Sequence, residues 1–322
     1  MHTVYLKEAL QKLERDAMLS ERAEILLKEW EHEALLASLY ATPQTPPHHA
    51  EGPTVRAHLH RMLVGLFAIV EGKLSVLEIE EFARMKGYED ELHEMEETIK
   101  EHAATFEVFT LLHDIGKQFC ASLDEFGRVH YLGHEKEIHR PEVRELLLRM
   151  ATRYRLSDED VDYLVPLISF HLEPMRRLGH GHDPKHVRVL DAIATKHGLD
   201  ADDFIDLLQA AVFLDQVVGS APSQADPLIR FFLAEAEYAP WKRAQKEEQK
   251  ARQRKAEAMR VFHTVGLDGE GVMKLTGMRP SKDLGALLQA VQSAARGEGE
   301  IDKRWPSELQ RRVREAQESL SR

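Results

Sequence analysis

The chain reads as an all-α protein. Leu, Ala, Glu, Arg and Lys dominate its composition and aromatic residues make up only 7%, a usage that favours helix over strand. Apolar residues recur three and four positions apart through most of the 322 residues, the spacing that lines one face of a helix. Pro- and Gly-bearing stretches interrupt that spacing where helices should stop.

Taken in order, residues 4–16 and 20–40 carry two amphipathic patterns, the second opening on Ser20 as its N-cap. "TPQTPPHHAEGP" (42–53) is too rich in proline for a helix. A helix is expected over 54–71, then "LSVLEIEEFARMKG", then a long acidic helix leading into Leu112. "SLDEFGRVHYLG" reads as a surface loop with a short hairpin. Further helices are expected over 141–154, 157–171, 184–197 and 200–218. Pro222 and Pro227 punctuate the next join, and 228–261 reads as a long helix that turns basic halfway. The tail, "GLDGEGVMKLTGMRPSKDLGALLQAVQSAARGEGEI", alternates helical patches with Gly and Pro stops, like a small accessory domain. These breaks divide the chain into an N-terminal helical segment (1–50), a central domain (51–221) and a long helix with its tail (222–322).

Several functions are disfavoured. A single cysteine, Cys120, rules out an internal disulfide framework. No apolar run approaches the roughly 18 residues of a membrane span, and the N-terminus lacks the apolar centre of a signal peptide. A soluble cytoplasmic protein is expected. No G-x-x-x-x-G-K-[ST] loop is present, so no ATP site is expected. A net charge of −12 argues against general coating of nucleic acid. The charge is uneven, however: residues 89–101 are acidic, whereas 242–260 hold eight Lys or Arg against three Glu. Arg243, Lys246 and Lys250 are candidates there for contact with an RNA backbone. The plainer reading of that stretch is a solvated helix face.

The residues that point to chemistry centre on "FTLLHDIGKQ", where His113 and Asp114 follow an apolar run. Alone the pair means little. Four other places set His or Asp on an apolar or turn-like background: "VRAHLHRML" (His58, His60), "YLGHE" (His134), "ISFHLEP" (His171) and "AAVFLDQVVG" (Asp215). Asp215 is the most telling, because a bare carboxylate on a core-facing helix is costly unless it is paired or metal-bound. His134 could instead cap the helix that follows its loop. The histidines of "HGHDPKH" (His180, His182, His186) and the pair His48–His49 read as surface residues, and Cys120 as a small core residue.

The series H…HD…H…H…D resembles the HD superfamily of metal-dependent phosphohydrolases. The resemblance implies an orthogonal helical core in which His58, His113, Asp114 and Asp215 hold a first divalent ion, and His134 and His171 help with a second. Imidazole and carboxylate ligands with open positions suit Mn, Fe, Co, Ni or Zn, with Mg also compatible. One or two ions would then activate water for attack on phosphorus. Lys117 could reach a substrate phosphate as a point charge, and Gly116 would let backbone approach closely. The resemblance puts the first ligand in a V-x-x-H setting, which fits His58. His60 lies about 200° further round the helix.

Within the superfamily, 52–219 is most similar to the HD domain of bacterial CCA-adding tRNA nucleotidyltransferases and poly(A) polymerases. "LLHDIGK", "YLGHE", "ISFHLEP", "DPKHVRVLDAI" and "AAVFLDQVVG" follow that family's order, and the tail resembles the tail of the same enzymes. The nucleotidyltransferase head is absent, so CCA addition is not implied. Two features depart from the family: Leu59 follows His58 where Thr or Ser is usual, and 71–108 forms a longer acidic insert. The resemblance implies phosphomonoesterase or 2′,3′-cyclic phosphodiesterase activity on nucleotides or tRNA-like RNA 3′ ends, with Asp114 and Lys117 in catalysis. The alternatives are a mononucleotide nucleotidase and a non-catalytic RNA-binding or assembly module.

Overall fold

A computed structural model describes residues 5–44, 52–83, 85, 87–125, 129–178, 183–220 and 225–320. These residues are mostly helical, with one two-stranded hairpin, so the all-α expectation holds. Among them no helix is long and apolar enough to cross a membrane. The chain divides into two compact units, Met1–Tyr238 and Ala239–Arg322, each with its own apolar core.

The first unit opens with α1 (Leu6–Glu14), α2 (Ala17–Trp30) and α3 (Ala34–Ala41). The expected 20–40 helix is thus two helices. Polar Glu31-His32-Glu33 interrupts the apolar stripe, and the chain turns there with Trp30 and Leu36 both buried. The cap also differs from expectation. Asp16, not Ser20, accepts hydrogen bonds from the amides of Met18 and Leu19, each at 3.1 Å, so the helix begins earlier. Such a cap contributes about 1 kcal/mol.

α4 (Val55–Val70) is the central strut. Every residue from Met62 to Ile69 is buried, as expected of a helix that is apolar all round. Fully burying each of Leu63, Leu66 and Phe67 contributes about 1.5–3 kcal/mol. α5 (Glu80–Ala83), α6 (Glu89–Glu101) and α7 (Ala103–Leu112) follow. The expected long acidic helix breaks at His102, where the acidic face of α6 gives way to the apolar "AATFEVFTLL" of α7.

α8 (Lys117–Cys120) leads into the hairpin β1 (Ser122–Leu123) and β2 (Val129–His130), antiparallel with Ser122 opposite His130. A 3-10 turn (His134–His139) precedes α9 (Pro141–Tyr154). α10 (Asp158–Phe170) starts on a capping box between Ser157 and Asp160. α11 (Glu173–Leu178), α12 (Lys185–His197) and α13 (Ala201–Val212) complete the set around the site. α13 does not run on regularly to 218. Residues Phe213–Gly219 widen into a π-type turn, a feature that often marks functional positions in helices. That turn packs on α4 at Gly65, where a Cβ would lie 2.0 Å from Val218 Cγ1. The absent side chain brings the two segments close enough for their polar residues to meet.

α14 (Asp226–Thr264) buries Leu228, Phe231 and Phe232 in the first core. In the second unit its Ala258 and Phe262 join a core with α15 (Gly269–Thr276), α16 (Lys282–Ala295) and α17 (Ser307–Leu320), through Val272, Val291 and Val313.

One acidic residue of the first unit carries a pH dependence. Burial, with Glu235, Glu94, Asp202 and Asp203 nearby, pushes the Asp206 carboxyl up to about 7 from 3.8. The fold prefers the protonated acid, so this stabilisation is complete at pH values below the ordinary carboxylate range. It is lost as pH rises through about 7. Asp206→Asn is therefore expected to raise the thermal midpoint at pH 8 and to change it little at pH 4. After allowance for solvent screening at this half-buried group, the gain is on the order of 2 kcal/mol. Equal shifts at both pH values would refute this account.

Candidate metal centre

Five segments converge on one buried cluster. α4 supplies His58, the turn after α7 supplies His113 and Asp114, and the 3-10 turn opens on His134. His171 caps α10, and Asp215 sits in the π-type turn. All six side chains are buried. His58 Nε2 lies 3.0 Å from Asp215 Oδ1, and His134 Nε2 lies 3.1 Å from Asp114 Oδ1. His113 Nε2 is 3.4 Å from Asp114 Oδ2 and 3.8 Å from Asp215 Oδ1. The imidazole of His171 stands 5.3 Å from that of His113 and 5.6 Å from that of His134, centroid to centroid.

Hydrogen bonds set the ring orientations. Nδ1 of His113, His134 and His171 faces a backbone carbonyl three residues back: Thr110 at 3.1 Å, Tyr131 at 2.7 Å and Ile168 at 2.7 Å. A carbonyl oxygen can only accept, so each Nδ1 carries the proton and donates it. In the neutral ring Nε2 is then a lone pair aimed at the cluster. This is the arrangement of metal-ligating histidines, whose other nitrogen is anchored to a carbonyl or carboxylate. Nε2 of His113 and of His134 are buried and make no hydrogen bond, while Asp114 Oδ2 faces the Lys117 ammonium at 2.6 Å. Lone pairs and carboxylate oxygens crowd one another at about 3 Å, an arrangement that repels until a cation sits among them.

Two ligand groups result, and they overlap. His58, His113 and Asp114 offer donor atoms within 4.8 Å of one another, and so do Asp114, His134 and His171. Each group could hold a metal ion, and Asp114 belongs to both. The electrostatics fit. Burial alone would raise the Asp114 carboxyl, but the Lys117 ammonium beside it, with Nζ 2.6 Å from Oδ2, holds it well below the usual range. Asp215 is likewise depressed, its burial outweighed by His58 and His113. Burial, with His113 beside it, pushes His171 down to about 4, which keeps that ring neutral and able to ligate at pH 7.

Lys117 joins the cluster. Its side chain is buried, with Nζ 2.6 Å from Asp114 Oδ2. Gly116 permits a close approach, and what approaches is the His134 backbone. A Cβ there would lie 2.0 Å from the His134 carbonyl oxygen. His60 points away from the cluster, with Nε2 3.2 Å from the Ser20 carbonyl oxygen.

No protein-family model, curated protein or solved structure matches the chain. The site is therefore read from its own geometry. A cavity of about 380 Å³ opens onto the cluster, and Asp114, Lys117, His134, His171, Arg176 and Gln216 are among the residues that line it. Sequence reasoning missed Gln216, whose Nε2 donates to Asp215 Oδ2 at 2.6 Å and so orients that carboxylate. It also missed Glu135 and Arg176, paired at 2.8 Å. The only signal for them was adjacency: Glu135 follows His134, and Arg176 lies five residues past His171.

Arg243, Lys246 and Lys250 are exposed on α14 in the second unit, and Lys250 Nζ donates to Glu247 at 3.0 Å. His48, His49, His180 and His182 lie outside the described residues. Neither ligand group includes His102, His139, His186 or Cys120.

Proposed function

We propose that the chain is a cytoplasmic, metal-dependent phosphohydrolase acting on a phosphoester of a nucleotide or an RNA 3′ end. The observation that carries this reading is the pair of overlapping ligand groups sharing Asp114, open to a cavity that Lys117 also lines. The six residues that the HD resemblance orders along the chain are the six that meet in space, which supports the same reading. The donor set suits one or two ions of Mn, Fe, Co, Ni or Zn. A bound divalent ion would supply positive charge for the phosphoryl oxygens and lower the pKa of a water.

The chain's own part is to hold that charge in place. The three carbonyl-anchored imidazoles keep their Nε2 atoms converged. Gln216 fixes the Asp215 carboxylate, and Lys117 is near enough to pass from Asp114 to an incoming phosphate. Burial keeps bulk water from screening these charges.

A second reading, a non-catalytic RNA-binding module, is favoured by one observation. Residues 239–322 carry 18 Lys or Arg against 12 Asp or Glu in a chain of net charge −12. Metal analysis of untagged protein purified without added metal, followed by assays on a generic aryl phosphodiester and on cyclic and linear nucleotides, separates the two. The phosphohydrolase reading expects about one to two bound ions and turnover that a chelator removes. Retained tRNA binding with no hydrolysis in Mn, Co or Ni would replace it with the module.

A further inference from the structure

Glu135 is as buried as the ligands beside it, at 2% side-chain exposure, yet it belongs to neither ligand group. Its Oε1 pairs with Arg176 NH1 at 2.8 Å, and its Oε2 is buried without a hydrogen bond. Arg176 is 45% exposed and lines the cavity over the cluster. Burying a carboxylate to hold a half-exposed arginine is not needed for stability alone, since such pairs often fail to recover their desolvation cost. What the pairing achieves is to keep one guanidinium rigid at one place on the cavity wall.

Both sides of this clamp come from the segments that carry ligands. Glu135 follows His134, and Arg176 lies on α11, just after the turn that presents His171. Arg176 NH1 also meets Glu173 Oε1 at 3.3 Å, while Glu173 Oε2 accepts from Arg177 at 2.7 Å. The group of two arginines and two glutamates is neutral, so an arriving anion meets no net repulsion. Both carboxylates use NH1, which leaves Nε and NH2 of Arg176 uncommitted among the described residues. Lys117 lines the same cavity from beside Asp114, at the cluster itself. The buried cluster with Lys117 therefore suits the reacting phosphate, and the half-exposed Arg176 suits a second anion.

We infer that Arg176 anchors a second phosphate of the substrate, so that the site selects a terminal nucleotide that carries one phosphate at the cluster and another on its 5′ side. This rests on the phosphoester reading of the cluster and narrows it to nucleotides with two phosphates. A planar fork with free N–H groups on one edge matches a phosphodiester or phosphomonoester oxygen pair.

Binding, rather than turnover, tests the inference. Calorimetry on the full chain, with and without Mn²⁺, would compare adenosine 3′,5′-bisphosphate with adenosine 3′-monophosphate. Wild type is expected to favour the bisphosphate about tenfold or more, the range of one charge-assisted contact. Arg176→Gln combined with Glu135→Gln removes the cation without orphaning a buried charge, and is expected to lose most of that preference. Arg176→Lys keeps the pairing with Glu135 but not the fork, and is expected to lose part of it. Equal affinities in wild type would overturn the inference, as would a full preference in either variant. A trinucleotide ending in a 3′-phosphate is expected to bind as the bisphosphate does; its exclusion would overturn the chain-end form and leave only free bisphosphates. A preference that depends on Arg176 in a protein that hydrolyses no phosphoester would retain this inference and remove the phosphohydrolase reading.

Discussion

Asp114→Asn is expected to abolish metal loading in both ligand groups and to lower phosphodiester turnover by about 10³-fold or more, equivalent to a loss of at least ~4 kcal/mol of transition-state stabilisation. Asp114 is the ligand common to both groups, so no other single change in the cluster should reach as far. The substitution also has a structural cost. Lys117 Nζ lies 2.6 Å from Asp114 Oδ2 and is buried, and an amide in place of the carboxylate strands that ammonium. Breaking a buried pair in this way costs on the order of 3 kcal/mol. Adding Lys117→Met should recover most of the thermal midpoint without restoring metal. Elemental analysis beside a melting curve then separates a lost ligand from a lost fold. Full metal content in a folded Asp114→Asn protein would sink the shared-ligand arrangement.

The parts of this site that were legible in the sequence are those where polarity contradicts pattern. Asp215 interrupts "LLQAAVFL" and His171 ends "VPLISF", and both are buried in the cluster. His134 does not serve as a cap: Gly133 holds that position without a side-chain hydrogen bond, and the His134 ring instead donates to the Tyr131 carbonyl and faces Asp114. The π-type turn around Asp215 left no trace in the periodicity; it lies against α4 at Gly65, a contact more than a hundred residues away in sequence. Glu135 and Arg176 were invisible for a related reason. Charged residues beside loops are usually solvated, and only the meeting of 134–139 with 171–178 buries one of them. The all-α class followed from composition and spacing, but the helix breaks at 31–33 and His102 depended on which faces found partners.

Gly116→Ala should have the second large effect, and it acts through space rather than through backbone freedom. Gly116 has φ −74, which any residue adopts. What it lacks is room: a Cβ would lie 2.0 Å from the His134 carbonyl oxygen, 2.7 Å from the carbonyl carbon and 2.8 Å from Glu137 Cβ. Two of those three atoms are backbone, so no rotamer change relieves the clash. The turn after α7 and the 3-10 turn must separate, at a cost of about 3 kcal/mol. Separation draws His134 Nε2 away from Asp114 Oδ1, now 3.1 Å apart, and so opens the group of Asp114, His134 and His171. His58 and His113 belong with Asp114 to the other group, which includes neither His134 nor His171. A folded Gly116→Ala protein is therefore expected to bind about half the metal of a two-ion wild type, with His58→Ala then removing the remainder. Unchanged metal content and an unchanged melting temperature would mean that the two turns part cheaply, and that Gly116 is not what joins the halves of the cluster.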